Sequence, residues 1–293
     1  MKGVSVVIPI FGEAHQEALP AVVDSVLAQR NVDREVVVSE QGRVPRWERL
    51  AELPGVEYVF SRVEGNAGTA RNEGLKRASK EFAYFNDADV VFLDGLHLHR
   101  LSREIGCRQI FTRIAMRRML KEEVPGFFEW REKYAIEEAI RGVELRGKHQ
   151  ATLSRSSPPL EEVEFDGRLY TATPQELAAY RRDSDYLAGR ENLLWQRTVH
   201  CGMTFGRADD FKKVGGYSPD YPVCVYEDSD LQWKLRSAFD VREIGDRIRD
   251  AVMHLDHDLA YRSAASEAGN KAVFERRKSL GAATCIEEDV ARF

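Results

Sequence analysis

The chain has 293 residues, a formal net charge of −5 at pH 7, 43% hydrophobic residues and 31% charged residues. This composition is typical of a soluble globular protein with one core, or one core and a sub-domain. The acidic balance argues against a nucleic-acid partner, and the four cysteines form no Cys-x-x-Cys pair that would indicate a zinc ribbon or a redox motif.

Neither a secretory leader nor an apolar run of roughly 20 residues is apparent. The scattered thiols also fit a reducing compartment. We therefore expect a cytoplasmic protein with at most peripheral membrane contact.

The first third of the chain alternates between two kinds of pattern. Short, β-branched apolar runs predict strands at Val4–Ile10, Glu35–Ser39, Val56–Phe60 and Phe82–Phe85. Apolar residues at helical spacing predict helices at Ala14–Gln29 and Ala67–Ala78. This alternation is typical of βαβ units around a mainly parallel sheet.

The pattern changes after a further predicted strand near Arg108–Thr112. Regularity fades from about Met116 to Gln196, which we interpret as an inserted, mostly helical sub-domain, and returns at Val199–Phe205. The predicted organisation is therefore two halves of one domain (1–114 and 199–258), a possible acceptor-binding insert (115–198) and a C-terminal helical tail (259–293).

Asp87 and Asp89 follow the predicted strand Phe82–Phe85. Residues i and i+2 of an extended segment point the same way, and ligands collect at the strand ends of open α/β sheets. Two carboxylates there suit a divalent cation that also binds phosphate oxygens. The alternative is a loop with a helix cap, since Asp and Asn favour both.

Gly65–Asn72 opens the second predicted helix with small residues and amides. Such a helix start offers N–H groups to an anion, and Arg71 adds a planar cation suited to phosphate. The segment is neither a Walker A loop nor a complete Gly-x-Gly-x-x-Gly fingerprint. A tight turn followed by a capped helix is the alternative.

Two later segments also carry ionisable groups. Glu227, Asp228 and Asp230 begin a predicted helix, where carboxylates either complement the helix dipole or supply a general base. His254 and His257 flank Asp256, and His with carboxylate ligands favours Mn²⁺ over Mg²⁺.

Taken in order, five segments resemble the inverting family-2 glycosyltransferases with the GT-A fold. These segments are Val6–Glu13, Asn66–Gly74, Asp87–Asp89, the two-part element Gly215–Tyr217 with Glu227–Leu231, and the late histidine, His254 or His257. The resemblance covers about residues 3–114 and 199–258. One departure is Ser39-Glu40-Gln41-Gly42, where the family usually has two aspartates.

The resemblance implies an α/β protein with the GT-A (Rossmann-like) fold: a mostly parallel central sheet flanked by helices, with a mainly helical insert. It implies a metal-dependent enzyme that moves a sugar from a nucleotide-diphospho sugar, with a UDP-sugar favoured, to an acceptor hydroxyl with inversion. The acceptor class stays open between a glycan, a lipid-linked intermediate, a small metabolite and a peptide.

The resemblance also implies site residues. The residues implied to bind the donor are Pro9, Phe11, Glu13, Glu40, Asn66, Gly68, Arg71, Asp87, Ala88, Gly202 and Met203. The residues implied to bind a metal ion, with Mn²⁺ favoured over Mg²⁺, are Asp89, His254, Asp87 and His257. Asp228 would act as the general base, with Glu227 beside it.

Two other functions are weighed against this one. A sugar-phosphate nucleotidyltransferase would carry a Gly-rich, basic loop after the first strand, where this chain has Phe11–His15. A catalytically silent carbohydrate- or partner-binding domain has no need of Asp87, Asp89 and Asp228 together.

Overall fold

The computed structural model describes residues 2–11, 17–63, 66–93, 95–105, 109–119, 124–133, 161–165, 168–172, 196–222, 224–243, 252–255 and 264–293. The strands in these ranges are β1 (Gly3–Phe11), β2 (Asp33–Gln41), β3 (Val56–Ser61), β4 (Phe82–Phe85), β5 (Val90–Phe92), β6 (Gln109–Met119), β7 (Glu161–Phe165), β8 (Arg168–Ala172), β9 (Gln196–Arg207), β10 (Asp240–Glu243) and β11 (Val252–Leu255). The helices are α1 (Leu19–Leu27), α2 (Ala67–Arg77), α3 (His97–Glu104), α4 (Val124–Lys133), α5 (Ala208–Lys213), α6 (Glu227–Ala238), α7 (Ala264–Leu280) and α8 (Ala282–Arg292), with a short 3₁₀ helix at Glu48–Glu52.

The described strands form one sheet in the order β3-β2-β1-β4-β9-β6-β11-β5, with β10 also paired to β6 and the β7–β8 hairpin joined to β9. The first four strands of this order are parallel to one another. This arrangement confirms the predicted βαβ units. Strand β9 enters antiparallel between β4 and β6 and so joins the early part of the chain to the late part.

The sheet has an apolar core on each face, because residues of β1 and β2 alternate between them. Val6 and Val36 pack with helices α1 and α3, whereas Val7 and Val37 pack with α2, α5 and α6. A strand buried on both faces reads as a continuous apolar run, which is why β1 was visible in the sequence.

Two predicted boundaries need correction. The first helix begins at Leu19 rather than Ala14, with Pro20 in its first turn, where proline costs no hydrogen bond. The strand predicted at Arg108–Thr112 continues to Met119, because its later residues pair with β9. Such a partner, distant in sequence, is invisible in a local pattern.

The segment 115–198 was predicted to be mainly helical. Its described residues include helix α4 but also the hairpin β7–β8, whose second strand pairs with β9. Arg117 lies opposite Arg197 in the β6–β9 ladder, so the chain leaves and re-enters the sheet on neighbouring strands. None of the helices in the described ranges is both long and apolar enough to cross a membrane.

The turn Gly215-Gly216-Tyr217 is fastened to helix α2. The side chain of Asn72 donates from Nδ2 to the carbonyl of Tyr217 at 2.8 Å, and its Oδ1 accepts from the Tyr217 N–H at 2.8 Å. Gly215 and Gly216 have φ values of 70° and 59°, in the left-handed region that favours glycine. This contact fixes the chain that leads into α6.

We expect Gly216→Ala to lower the free energy of unfolding by about 2 kcal/mol or more, because of its positive φ and the lost Asn72 contacts. A Cβ atom there would lie 2.3 Å from Asn72 Oδ1. The matched control is Gly269→Ala in α7, where a Cβ atom meets nothing within 4 Å. That change should stabilise the protein by about 0.5–1 kcal/mol. Thermal unfolding of both variants checks the prediction, which equal Tm changes would contradict.

Helices α6, α7 and α8 share a buried group of charges. Lys234 Nζ donates to Asp289 Oδ2 at 2.5 Å and to the carbonyls of Val214 at 3.0 Å and Gly216 at 2.8 Å. Arg277 Nη2 donates to the same Asp289 oxygen at 2.6 Å. The four groups of this buried charge cluster, Lys234, Arg277, Asp230 and Asp289, are at most 1% exposed. The C-terminal helices are therefore tied to α6 by ion pairs.

Candidate active site

The carboxyl ends of β1, β2 and β4 meet at one edge of the sheet. Phe11 lies opposite Gln41 in the β1–β2 ladder, two residues beyond Pro9 and one beyond the pair of Ile10 with Glu40. The Asn86 N–H donates to the Val7 carbonyl at 3.0 Å. The predicted donor residues on β1 and β2, and those that follow β4, are thus brought to the same edge.

Glu40 is fully buried at this edge. Its Oε2 accepts from the backbone N–H of Arg46 at 3.1 Å, from that of Trp47 at 3.2 Å and from the Tyr58 hydroxyl at 2.6 Å. Burial and the Glu40 carboxylate both raise the pKa of Tyr58. Glu40 therefore orders the loop after β2, and its role toward a nucleoside stays a prediction.

Asn66 caps helix α2. Its Oδ1 accepts from the Thr69 N–H at 2.9 Å, while the Asn66 N–H donates to Thr69 Oγ1 at 3.1 Å, and its Nδ2 also donates to the Tyr221 carbonyl. Gly68 permits close packing, since a Cβ atom there would lie 3.0 Å from Tyr217 Cβ. The capped-helix alternative thus describes the local structure, and a donor-binding role for Asn66 and Gly68 stays a prediction.

Residues 86–89 connect β4 to β5 and begin no helix, so the helix-cap alternative does not apply. Asn86 Nδ2 donates to the carbonyls of Asp87 at 3.0 Å and Val90 at 2.9 Å, which holds the turn from inside. Ala88 is half-buried against the core, and Asp89 is 8% exposed. The segment is therefore a hydrogen-bonded turn that carries both aspartates.

Strand β11 brings His254 to Asp89. His254 lies opposite Val90 in the antiparallel β5–β11 ladder, and the Leu255 N–H donates to the Asp89 carbonyl at 2.8 Å. His254 Nε2 is 3.6 Å from Asp89 Oδ2. Within the described ranges, no group of three or more His, Cys, Asp or Glu residues is arranged to hold a metal. The predicted residues His257 and Glu13 lie outside those ranges.

Arg71 connects the two acidic segments of the site. Its Nη2 donates to Asp87 Oδ1 at 2.5 Å, and its Nη1 donates to Asp228 Oδ1 at 3.3 Å and lies 3.8 Å from Glu227 Oε1. The guanidinium is buried against the Tyr217 ring, 5.0 Å from its centroid. The sequence predicted a phosphate partner for Arg71, and here its partners are carboxylates.

The chain enters helix α6 through an unusual backbone. Val225 and Tyr226 have φ values of 124° and 72°, conformations that cost non-glycine residues about 1–3 kcal/mol each. The Val225 N–H donates to Glu227 Oε2 at 2.5 Å. Burial and the neighbouring Asp228 charge raise the pKa of Glu227 to about 7. The pair Glu227–Asp228 is therefore held by specific contacts as well as by the helix dipole.

This raised pKa predicts how stability changes with pH. Since folded Glu227 binds a proton more tightly than unfolded Glu227, the free energy of unfolding should fall as pH rises from 4.5 to about 7. Glu227→Gln removes this contribution and should stabilise the protein at pH 8 by about 1–3 kcal/mol. Urea unfolding at pH 4.5 and pH 8 measures the difference. An equal pH dependence of stability in Glu227→Gln and the wild type would contradict the assignment.

Gly202 and Met203 are buried on β9. Thr204 lies opposite Phe85, so the two residues before it continue along the strand toward the 86–89 turn. The Tyr84 hydroxyl contacts Met203 Sδ at 3.6 Å and His97 Nε2 at 3.4 Å. Burial lowers the pKa of His97 to about 3. The predicted position of Gly202 and Met203 beside a transferred sugar stays a prediction.

Sequence reasoning missed the residues that hold these segments together. Asn72 lies inside a recognised segment and Asn86 directly before one, and the sequence assigns no role to either. An amide next to a motif is a weak signal, because Asn is common in turns for local reasons. Their contacts, to Tyr217 and to Val90, depend on the fold.

Comparisons with known proteins show similarities in sequence and in fold. The family model for glycosyl transferase family 2 matches residues 5–109. A search of the curated proteins finds no match. Solved structures with the same fold include S. aureus TarS 1-349, aligned at 15% identity and a TM-score of 0.51 over 87% of this chain and 60% of that one.

Two further structures are complexes of the same TarS fragment. The one with UDP aligns at 15% identity and a TM-score of 0.51, covering 94% of this chain and 70% of the TarS chain. The one with UDP-GlcNAc aligns at 15% identity and a TM-score of 0.54, covering 94% and 65%. The chain thus spans about 60–70% of the TarS chains that it matches. The family match over residues 5–109 and the fold shared with TarS support the expected GT-A fold, a mostly parallel central sheet flanked by helices.

Proposed function

We propose that this chain transfers a sugar from a nucleotide-diphospho sugar, with a UDP-sugar as the favoured donor, to an acceptor hydroxyl with inversion at the anomeric carbon. UDP and UDP-GlcNAc are the ligands of the solved TarS complexes, which share the fold. A hydroxyl on a glycan, a lipid-linked intermediate, a small metabolite or a peptide would serve as acceptor.

The observation that carries the proposal is the double contact of Arg71. One guanidinium holds Asp87, from the turn after β4, and Asp228, from the start of α6. A donor bound at the first segment and a base on the second would then face each other across a few ångströms. The preorganised distance between donor and base is what a direct displacement requires.

The pair Asp89–His254 fits a divalent cation. An aspartate oxygen and an imidazole nitrogen lie 3.6 Å apart, and both residues are buried, with relative exposures of 8% for Asp89 and 5% for His254. This donor set favours Mn²⁺ over Mg²⁺, and diphosphate oxygens would complete it. When bound, the ion would neutralise the charge that develops on the leaving nucleoside diphosphate.

Asp228 is the proposed general base. Its side chain is 18% exposed, so it can meet an acceptor, and the Arg71 contact orients it. The carboxylate would take the proton of the acceptor hydroxyl as that oxygen forms its bond to the anomeric carbon. The bond from this carbon to the diphosphate would break on the opposite face, so that the configuration inverts.

The test of the donor site is binding of UDP with and without Mn²⁺, measured by calorimetry and by thermal shift. At a UDP concentration of about 100 times its Kd, binding adds about 2.7 kcal/mol of stability. We expect a Mn²⁺-dependent effect in the wild type that Asp89→Ala abolishes. The exposed control Asp209→Ala should bind normally. If Asp89→Ala binds UDP and Mn²⁺ as tightly as the wild type, Asp89 is not a metal ligand. If the wild type binds no nucleotide, a catalytically silent domain is favoured.

A further inference from the structure

One face of helix α7 is directed at the start of helix α6. Asn270, Phe274 and Arg277 are spaced at i, i+4 and i+7, so they share a helix face. Asn270 and Arg277 are fully buried, and Phe274 is 8% exposed. None of the recognised motifs includes these three residues, which we call the α7 stripe.

The first two residues of the stripe contact the backbone that precedes α6. Asn270 Nδ2 donates to the Val225 carbonyl at 2.7 Å. The Phe274 ring packs on Tyr226 with 5.7 Å between the centroids. Val225 and Tyr226 are the described non-glycine residues with positive φ near the site, so their conformation depends on outside contacts.

The third residue of the stripe contacts the first turn of α6 itself. Arg277 donates from Nε to Asp230 Oδ1 at 2.7 Å and from Nη2 to Asp230 Oδ2 at 3.2 Å. Such two-point contacts fix orientation as well as distance. The stripe therefore holds α6 on both sides of Glu227 and Asp228.

We propose that Asn270 is a positioning residue that fixes Asp228 as the base, acting through the Val225–Tyr226 backbone. The proposal rests on the proposed function. Asn270 holds the carbonyl of Val225, while the Val225 N–H is bonded to Glu227 Oε2 at 2.5 Å. If the Asn270 contact is lost, the backbone can relax toward negative φ, which turns Asp228 away from Arg71 and from a bound donor.

The experiment compares Asn270→Ala with the control Lys271→Ala, whose side chain is exposed on the same helix. The rate of UDP release from UDP-GlcNAc, with water as acceptor, gives kcat and KM, and calorimetry gives the affinity for UDP with Mn²⁺. We expect kcat to fall about 10- to 100-fold in Asn270→Ala, with UDP affinity within about twofold of the wild type. Lys271→Ala should match the wild type.

A rescue variant separates positioning from general destabilisation. Glycine adopts positive φ without strain, so Val225→Gly should make the required backbone accessible without the Asn270 contact. In the double variant we therefore expect kcat to recover by several-fold, a non-additive result that only a shared backbone effect predicts. An unchanged kcat in Asn270→Ala, a parallel loss of UDP affinity, or the absence of rescue would each overturn the proposal.

Amide hydrogen exchange keeps the test independent of the proposed function. Faster exchange confined to peptides within 224–231 in Asn270→Ala would support the backbone contact even if the wild type released no UDP from UDP-GlcNAc. A wild type that releases no UDP would contradict UDP-GlcNAc as the donor. The role of Asn270 would then be tested by the amide hydrogen exchange alone. Unchanged exchange in 224–231 would overturn the proposal whatever the activity.

Discussion

Replacing Asp228 with asparagine should lower the rate of UDP release from a UDP-sugar by at least about 100-fold. The carboxylate is the proposed proton acceptor, and general-base catalysis is typically worth about 10²–10⁴-fold. Asparagine has nearly the same shape and still offers an oxygen to Arg71, which is 3.3 Å from the carboxylate. The affinity for UDP with Mn²⁺ should therefore stay close to that of the wild type. Steady-state kinetics and calorimetry on the same preparation measure both quantities.

The matched control is Asp209→Asn, an exposed residue in the first turn of the neighbouring helix α5. It removes one carboxylate from a helix start without touching the site, and its turnover should equal that of the wild type. A fall in kcat at constant KM would indicate an interaction made only in the transition state. A normal turnover rate in Asp228→Asn would mean that another group is the base.

Lys234→Met should lower the free energy of unfolding by about 3–5 kcal/mol, the usual cost of breaking a buried ion pair. Burial lowers the pKa of Lys234, while Asp289 and Asp230 favour its charged form. Without the ammonium, the carbonyls of Val214 and Gly216 lose a donor in a site closed to water. For a domain of this size, we expect Tm to fall by about 10 °C.

Lys213→Met is the control for this second prediction. Lys213 also pairs with an aspartate, Asp210, at 2.7 Å, but its side chain is 65% exposed. Exposed pairs contribute about 0–1 kcal/mol, because water screens the charges and the side chain loses entropy. If the two variants unfold at the same temperature, the buried charge cluster contributes no more than a surface pair.

The central strands and their order in the chain could be predicted, because each leaves a local signal. β1 and β4 are continuous apolar runs, and Leu231 and Leu235 mark the buried face of α6, as the structure confirms. The site segments could also be recognised from the sequence. Asp87 and Asp89 follow a strand, and Glu227-Asp228 begins a helix, so each segment is a short local motif.

The contacts between those segments could not be predicted. Arg71 and Asp228 are 157 residues apart, and nothing local indicates that they pair. The α7 stripe is harder still, because Asn270 lies in an ordinary amphipathic helix and acquires its partner only when α7 packs on α6. Long-range pairing is set by tertiary packing, and a periodic pattern records only which face is buried.

The neighbouring position of Arg117 and Arg197 has a consequence for how such a protein can diversify. Arg117 of β6 and Arg197 of β9 are paired in the sheet, so the two ends of the stretch between them are held next to each other. The entropic cost of closing a flexible loop grows only logarithmically with its length, by about 0.6 kcal/mol for each doubling. Insertions or deletions there would scarcely alter the stability of strands β6 and β9. This stretch can therefore change in length while the turn that carries Asp87 and the helix whose first turn includes Asp228 stay in place.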